Sequence, residues 1–295
     1  MKLLVSLCNK IVEPIGPPFL LEVDTVSEEI TPIFLDDSRV PPPLGFSGLC
    51  PYREGFLAAL QTEPTTLLQL SREYQVENVW TLTRVKDARS LAVFEDKIYL
   101  VSTGNDAIVE FAPDSEERIF WRANHEGKDS IHLNSLAWHE GNLYATAFGK
   151  KKGDSWSSAD AGFLQNLTTG TCLCEALMHP HSLLVADDGF YFCRSRHMSV
   201  GKPDGQDLEI GVGYTRGLCV SGEYIWVGVS RGRASSKSLG KVVENPQDSG
   251  LLTGLCGVVM YRRNADDLSK SELIGAFWLE DYGTEIYDIL PLENT

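Results

Sequence analysis

The chain has 295 residues, of which 43% are hydrophobic and 23% charged, and this composition is ordinary for a globular protein with one large core. We therefore expect a single domain over residues 1–295. The formal net charge of -15 predicts an acidic surface that repels nucleic-acid phosphates and anionic lipids. Binding to nucleic acid or to a membrane surface is not expected.

No segment reaches the roughly 20 apolar residues that a membrane-spanning helix needs. The apolar run that follows Met1 is short, and Leu7 is a poor residue before a lipidated Cys8, so the run predicts a buried strand rather than a leader. The seven cysteines are an odd number without a paired framework, which favours reduced thiols. We expect a cytoplasmic protein.

The first predicted elements are three strand-like runs at residues 3–8, 19–23 and 30–35. They are followed by six copies of one pattern, in which a polar residue stands two places before a Leu or Ile. The intervals between these apolar residues are 42, 45, 47, 35 and 71 residues, and a period of about 40 to 45 is typical of a four-stranded propeller blade. The six pairs are Ser47/Leu49, Arg89/Leu91, Asn134/Leu136, His181/Leu183, Arg216/Leu218 and Tyr287/Ile289.

Alternating β-branched and aromatic residues, cut by Gly, Asn or Asp turns, predict strands within each copy. The second copy shows this at 90–94, 97–102 and 107–111. The sixth copy begins at Tyr287 and has room for one strand, so its partners must be the N-terminal runs. This closure predicts an all-β, six-bladed β-propeller without open sheet edges, in which the 71-residue interval reflects an insertion at about 230–254.

In such a fold, the loop that enters the innermost strand and the loop between the second and third strands lie on one face. We expect long second-to-third loops at 149–161, 194–205 and 230–254. Nine of the 26 basic residues belong to these loops, which favours attraction of an anionic ligand over solvated loop tips alone. They are Lys150, Lys151, Lys152, Arg194, Arg196, Arg231, Arg233, Lys237 and Lys241.

Three histidines stand at the strand starts of blades three and four. His132, His179 and His181 are candidates for a general base and acid, because imidazole titrates near neutral pH. They could also hold a transition metal together with Asn134, Asp87 or Glu285. The alternative is that the histidines bond to backbone groups of neighbouring blades and have a structural role only.

Other polar and aromatic residues of the same face are candidates for ligand binding. Arg89 and Arg216 both precede innermost strands, and a guanidinium group near a dry channel needs either a carboxylate or a bound anion. Asn134 and Tyr287 could orient a ligand by hydrogen bonds, and Tyr214 and Trp156 could stack on a ring. The loop residues Arg194 and Arg231 complete the predicted binding set.

Five phrases occur in order in this chain: HLNSLA (132–137), HPHS (179–182), YTRGL (214–218), VGVSRGR (227–233) and EIYD (285–288). Together they resemble a family of conserved hypothetical bacterial proteins with a domain of unknown function. At the level of the fold, the pattern is similar to gluconolactonase-like and strictosidine-synthase-like six-bladed propellers. That resemblance implies a ligand at the channel mouth and a divalent metal such as calcium, held there by Glu285 and Asn134, with His181 and Arg216 in place of further oxygen ligands.

The leading hypothesis is an enzyme that binds an anionic small molecule, such as a carboxylated sugar or a natural-product intermediate. His181, with His132 or His179, would catalyse hydrolysis, elimination or cyclisation, and Arg89 and Arg216 would hold the anion. The alternative is a propeller without catalytic activity whose face binds a partner protein.

Overall fold

The computed structural model confirms the predicted all-β, six-bladed propeller. It describes residues 1–10, 14–238, 241–244 and 254–292, with only the backbone considered at 235–238 and 241–243. Six four-stranded antiparallel sheets follow one another around the ring. None of the helices in the described ranges is long and apolar enough to cross a membrane.

The strands of the first three blades follow, from the channel outwards. Blade 1 contains Phe46–Tyr52, Gly55–Leu60, Thr65–Leu70 and Val76–Leu82. Blade 2 contains Ala88–Phe94, Lys97–Ser102, Ala107–Phe111 and Arg118–Arg122. Blade 3 contains Leu133–His139, Asn142–Ala147, Gly162–Asn166 and Cys172–Leu177.

The other three blades are built in the same order. Blade 4 contains Pro180–Ala186, Gly189–Arg194, Ser199–Gly201 and Asp207–Glu209. Blade 5 contains Tyr214–Ser221, Tyr224–Ser230, Gly257–Arg262 and Glu272–Trp278. Blade 6 contains Ile286–Leu292, Lys2–Leu7, Leu20–Asp24 and Ile30–Ile33. Short 3-10 turns are present at Thr103–Asn105, Trp156–Ser158, Ser195–His197 and Leu268–Lys270.

Blade 6 joins the two ends of the chain. Its innermost strand is C-terminal and pairs antiparallel with the N-terminal strand, with Lys2 opposite Leu292 and Val5 opposite Ile289. The predicted closure is therefore confirmed. It leaves neither terminal strand as an open edge at the centre of the ring.

The core lies between neighbouring blades, so the inner strands are buried on both faces. This is why segments such as Leu3, Leu4 and Val5 read as unbroken apolar runs rather than as an alternation. Leu3 and Val5 of blade 6 pack in one cluster with Trp226 of blade 5. The burial of these side chains holds adjacent blades together.

Two predicted loops differ from the structure. The prediction of a long loop at 194–205 is wrong, because the 3-10 turn Ser195–His197 is followed after one residue by the strand Ser199–Gly201. Three residues are too few to show an alternating pattern in the sequence. The insertion after blade 5's second strand contains the hairpin Ser235–Ser238 and Lys241–Glu244, and the parts at 239–240 and 245–253 lie outside the described residues.

Candidate functional site

The six polar residues that the sequence repeat predicts lie at the starts of the innermost strands. We call this end of the channel the upper face and the other end the lower face. The first ring consists of Ser47, Arg89, Asn134, His181, Arg216 and Tyr287, and the second ring, one residue further along each strand, consists of Gly48, Ser90, Ser135, Ser182, Gly217 and Asp288.

The serine and aspartate side chains of the second ring link four of the blades to the next. The Ser135 Oγ atom accepts a hydrogen bond from the backbone N–H of Leu183 at 3.0 Å, and the Ser182 Oγ atom accepts one from Gly217 at 2.8 Å. The side chain of Asp288 accepts the N–H of Leu49 at 2.9 Å in the same way. These bonds satisfy backbone donors that face a neighbouring blade instead of a strand.

Arg216 lies at the centre of the largest polar cluster of the first ring. Its Nη2 atom is 3.2 Å from Nε2 of His181, and its Nη1 atom is 3.5 Å from a carboxylate oxygen of Glu285. The guanidinium carbon lies 5.4 Å from the ring centres of both Tyr214 and Tyr287. The structure therefore brings together five of the residues that the sequence predicted.

Glu285 is buried but ionised. Burial raises the pKa of its carboxyl group, but Arg233 and Arg216 outweigh that effect, and the pKa is below its ordinary value. The Nε atom of Arg233 donates at 2.7 Å, and Nδ2 of Asn9 donates at 3.0 Å. The carboxylate is thus fully engaged by donors from blade 5, from the insertion and from the N-terminal loop.

His181 is held neutral, with both ring nitrogens engaged. Its Nδ1 atom lies 2.7 Å from the hydroxyl of Ser195, which donates its own proton to the carbonyl of Thr215. Nδ1 therefore carries the proton, and Nε2 accepts from Arg216. Burial, and then Arg216, lowers the pKa of His181 well below its ordinary value. In this arrangement His181 orients Arg216 and has no nitrogen free for proton transfer.

His179 packs in an aromatic cluster around Phe148. Its ring is stacked on Phe148, with the ring centres 4.5 Å apart, and its Nδ1 atom lies 2.9 Å from the hydroxyl of Tyr214. Burial and the charge of Arg196 lower the pKa of His179 to about 3. This histidine is also neutral near pH 7.

His132 has a different environment from the other two histidines. Its Nδ1 atom lies 3.0 Å from a carboxylate oxygen of Asp129, and within the described part of the chain its Nε2 atom has no hydrogen-bond partner. The ring lies between Phe148 and Trp156, 4.6 Å from the centre of each, and the side chain is 12% exposed. A carboxylate that fixes Nδ1–H and leaves Nε2 available is the arrangement of a general base.

Trp156 lies in the 3-10 turn of the blade 3 loop, where the sequence placed it. The Lys151 ammonium group lies 4.8 Å from the centre of the Trp156 ring, so that a cation and an aromatic face are both adjacent to His132. The Nζ atom of Lys152 is 2.5 Å from a carboxylate oxygen of Asp160. Only part of the predicted basic set therefore lies beside the Asp129–His132 pair, which we call the dyad.

Arg89 pairs with Asp87 at 2.8 Å and packs on Tyr287, 5.8 Å from its ring centre. The buried Nε atoms of Arg89 and Arg216 have no hydrogen-bond partner among the described residues, and neither does Nδ2 of Asn134. All three atoms are donors. Unpartnered buried donors are costly, and an acceptor such as a water molecule or an anion would satisfy them.

The other two predicted binding residues lie apart from this cluster. Arg194 forms an ion pair with Asp207 at 2.9 Å within blade 4. Arg231 is exposed at the beginning of the insertion, with its backbone N–H bonded to the carbonyl of Thr284.

The residues proposed for a divalent metal do not fit one. Glu285 is engaged by Arg233 and Arg216, and Asp87 is engaged by Arg89. Hard divalent cations prefer several oxygen ligands, whereas guanidinium groups repel a cation. Across the described ranges, no group of three His, Cys, Asp or Glu side chains is arranged to hold a metal ion.

A cavity of about 180 Å³ lies in the channel below the first ring. Of the predicted site residues in the described chain, only Tyr287 lines it. Its wall contains Ser90, Ser135, Ser182 and Asp288 of the second ring, followed by Leu49, Leu91, Leu136, Leu183, Leu218 and Ile289. The predicted residues thus form an upper layer above a largely aliphatic cavity.

Sequence reasoning did not predict the roles that four residues have in the structure. Phe148 contacts all three candidate histidines, and Asp129 completes the pair with His132. Asn9 reaches Glu285 from the other end of the chain, and Asp288 faces the cavity. The spacing Asp129-x-x-His132 was the one local signal; the others depend on the packing of distant blades.

Residues 57–295 match the family described as "Domain of unknown function (DUF4915)". The chain belongs to the DUF4915 family. This confirms the predicted resemblance to a family with a domain of unknown function. No curated protein matches the sequence significantly.

Solved structures similar to this DUF4915 protein share its fold at low sequence identity. A chain in a nidogen/laminin complex is 13% identical, with a TM-score of 0.64 and coverage of 98% of this chain and 97% of the other. A putative 6-phosphogluconolactonase from Bacteroides fragilis is 14% identical, with a TM-score of 0.57 and coverage of 99% and 98%. The periplasmic gluconolactonase of Pseudomonas aeruginosa is 12% identical, with a TM-score of 0.53 and 98% coverage of both chains.

Proposed function

We propose that this protein hydrolyses an anionic lactone or ester of a sugar-like small molecule at its upper face, with His132 as the general base. The observation that carries the proposal is the pair of Asp129 and His132, in which Nδ1 is held at 3.0 Å and Nε2 is left for a substrate or water. His179 and His181 support the site as neutral packing and positioning groups.

The charges around this face favour an anionic substrate. In the described chain, the guanidinium groups of Arg89, Arg216 and Arg233 are balanced by two carboxylates, those of Asp87 and Glu285. Lys151 on Trp156, and Arg196 beside His179, add positive charge next to the dyad. Local positive charge on an acidic protein concentrates an anionic ligand at this face.

Two structural neighbours have descriptions that agree with this reaction. One is described as a putative 6-phosphogluconolactonase and another as a gluconolactonase. Hydrolysis of an anionic sugar lactone agrees with both the positive charge of the upper face and the Asp129–His132 dyad. The proposal depends on the residues of this chain, because neighbours at such low sequence identity are similar to it in fold alone.

The geometry supports a metal-independent sequence of proton transfers. A water molecule at Nε2 of His132 gives its proton to the imidazole as the water oxygen bonds to the lactone carbonyl carbon. Asp129 stabilises the resulting imidazolium through Nδ1–H. The ring C–O bond then breaks, and the proton passes from Nε2 to the departing oxygen, which yields a hydroxy acid.

The test is hydrolysis of a panel of phosphorylated and carboxylated sugar lactones, with neutral lactones for comparison. His132→Gln is expected to lower kcat by roughly 100-fold to 10,000-fold, and Asp129→Asn to lower it as well. The matched control is His139→Gln, which changes a histidine at the lower end of the same strand, Leu133–His139. Equal activity of His132→Gln and the wild type, or no hydrolysis of any lactone, would overturn the proposal.

A further inference from the structure

The channel cavity contains one acidic group that blade closure does not require. In three blades, the second-ring residue that accepts the next blade's N–H is a serine, as in the bonds from Leu183 to Ser135 and from Gly217 to Ser182. In blade 6 the same bond from Leu49 goes to Asp288. A hydroxyl oxygen is sufficient for this bond, so the carboxyl group adds a negative charge and free lone pairs to the cavity.

The surroundings of Asp288 leave that charge without a counter-ion in the described chain. One carboxyl oxygen accepts the N–H of Leu49 at 2.9 Å, and the other accepts that of Ile289 at 3.0 Å. The rest of the cavity wall is formed by serine hydroxyls, Cys219, Tyr287, prolines and aliphatic side chains. Burial raises the pKa of Asp288 to about 7.

The other titratable groups around Asp288 do not compensate it. The thiols of Cys50, Cys193 and Cys219 belong to blades 1, 4 and 5, and burial raises the pKa of each to about 12. Burial also raises the pKa of Tyr287. All four groups are neutral near pH 7. Arg89 and Arg216 pack on the Tyr287 ring in the layer above.

We propose that this cavity is a second binding site, which takes a small primary ammonium compound with an apolar body. The ammonium group would donate to Asp288, while the body packs on the leucines of the wall. A buried carboxylate is stabilised by a cation that it meets directly, and aliphatic walls bind apolar groups without specific geometry.

The size and position of the cavity limit the ligand. An engineered apolar cavity of about 150 Å³ holds benzene, so 180 Å³ accommodates a body the size of a benzyl group. The wall extends to Pro51, Val220 and Pro291, near the ends of the innermost strands, and Pro51 is exposed. The ligand therefore approaches from the lower face, away from the lactone site.

Calorimetry with benzylammonium and benzyl alcohol tests the proposal. At pH 8 we expect the wild type to bind benzylammonium at least 10-fold more tightly than benzyl alcohol, because Asp288 is then ionised. Asp288→Ser keeps the acceptor that three other blades use and is expected to remove this preference. Retention of the preference in Asp288→Ser, or no binding of benzylammonium, would overturn the proposal.

A measurement on the wild-type protein keeps the test decisive if Asp288→Ser does not fold. Binding of benzylammonium is expected to tighten from pH 5 to pH 8 as Asp288 ionises. At pH 6, binding should release a proton from Asp288, and this release is measured as a binding enthalpy that changes with the ionisation enthalpy of the buffer. A pH-independent affinity would contradict the proposal. His132→Gln should bind benzylammonium like the wild type, so this result and that of the lactone assay are separable.

Discussion

The Nη2 atom of Arg216 donates to Nε2 of His181 across 3.2 Å, and this bond joins blade 5 to blade 4 at the top of the channel. An imidazole that accepts from a guanidinium group cannot also be protonated there without two cations in contact. The bond therefore converts a residue that titrates near neutral pH in water into a neutral structural acceptor.

The first prediction concerns acid sensitivity. The pKa values of His181 and His179 are below the ordinary value of 6.5 in the folded protein, and that of His179 is about 3. Below pH 6.5, the unfolded chain binds protons that the folded protein excludes, so the free energy of unfolding falls as the pH falls. Each histidine contributes about 1.4 kcal/mol per pH unit. Urea unfolding from pH 6.5 to pH 4 should show a shallower fall in His179→Gln than in the wild type, and identical slopes would contradict the neutral histidine.

The second prediction has the opposite sign. The pKa of Asp288 is raised from 3.8 to about 7 in the folded protein. Between these values the folded protein binds more protons, so this group's contribution to stability falls as the pH rises from about 4 to 7, by on the order of 4 kcal/mol at most. Asp288→Ser should gain stability relative to the wild type as the pH rises through this range, measured by thermal unfolding in the absence of amines. A constant difference between the two proteins would disprove the shifted pKa.

The third prediction concerns the buried carboxylate of Glu285. Glu285→Gln leaves Arg216 and Arg233 without their common counter-ion, which should lower the free energy of unfolding by about 3 to 5 kcal/mol. The control is Glu272→Gln, which breaks an exposed pair with Arg262 and should cost less than about 1 kcal/mol. Urea unfolding at pH 7 measures both free energies. Equal losses in the two variants would contradict the larger contribution of the buried carboxylate.

The fourth prediction tests a close backbone approach. A Cβ atom at Gly228 would lie 2.1 Å from the carbonyl oxygen of Arg216, so the innermost strand of blade 5 would have to move. Gly228→Ala should destabilise the fold by about 1 to 3 kcal/mol or more. Gly275→Ala in the outermost strand of the same blade meets no atom within 4 Å and is the control. Equal melting temperatures of the two variants would contradict the close approach.

The fold was predictable because one position in each blade is apolar at a nearly constant interval. Leu49, Leu91 and Leu136 line the same channel in successive blades, and the lone strand after Tyr287 required partners from the N-terminus. The short strand Ser199–Gly201 was missed because three residues show no alternation. A strand of only three residues thus carries too little local pattern to be predicted.

The site was predictable only in part, because a sequence repeat places backbones and not side-chain partners. The repeat placed Arg216, His181 and Tyr287 in one layer, and the structure confirms this proximity. It did not show that His181 would be occupied on both nitrogens or that Asp129 would orient His132. Those contacts depend on loop conformations, such as the left-handed backbone of His132.

The pairing of Lys2 with Leu292 has a consequence for folding kinetics. The hydrogen bonds that complete blade 6 join strands that are separated in sequence by all five other blades, so those blades must be synthesised before the bonds form. Contacts of such large sequence separation slow folding, and until they form the last strand remains an unpaired edge. Ring closure is therefore expected to be the late, rate-limiting event of folding. Aggregation during refolding should increase with the time for which that strand edge remains unpaired.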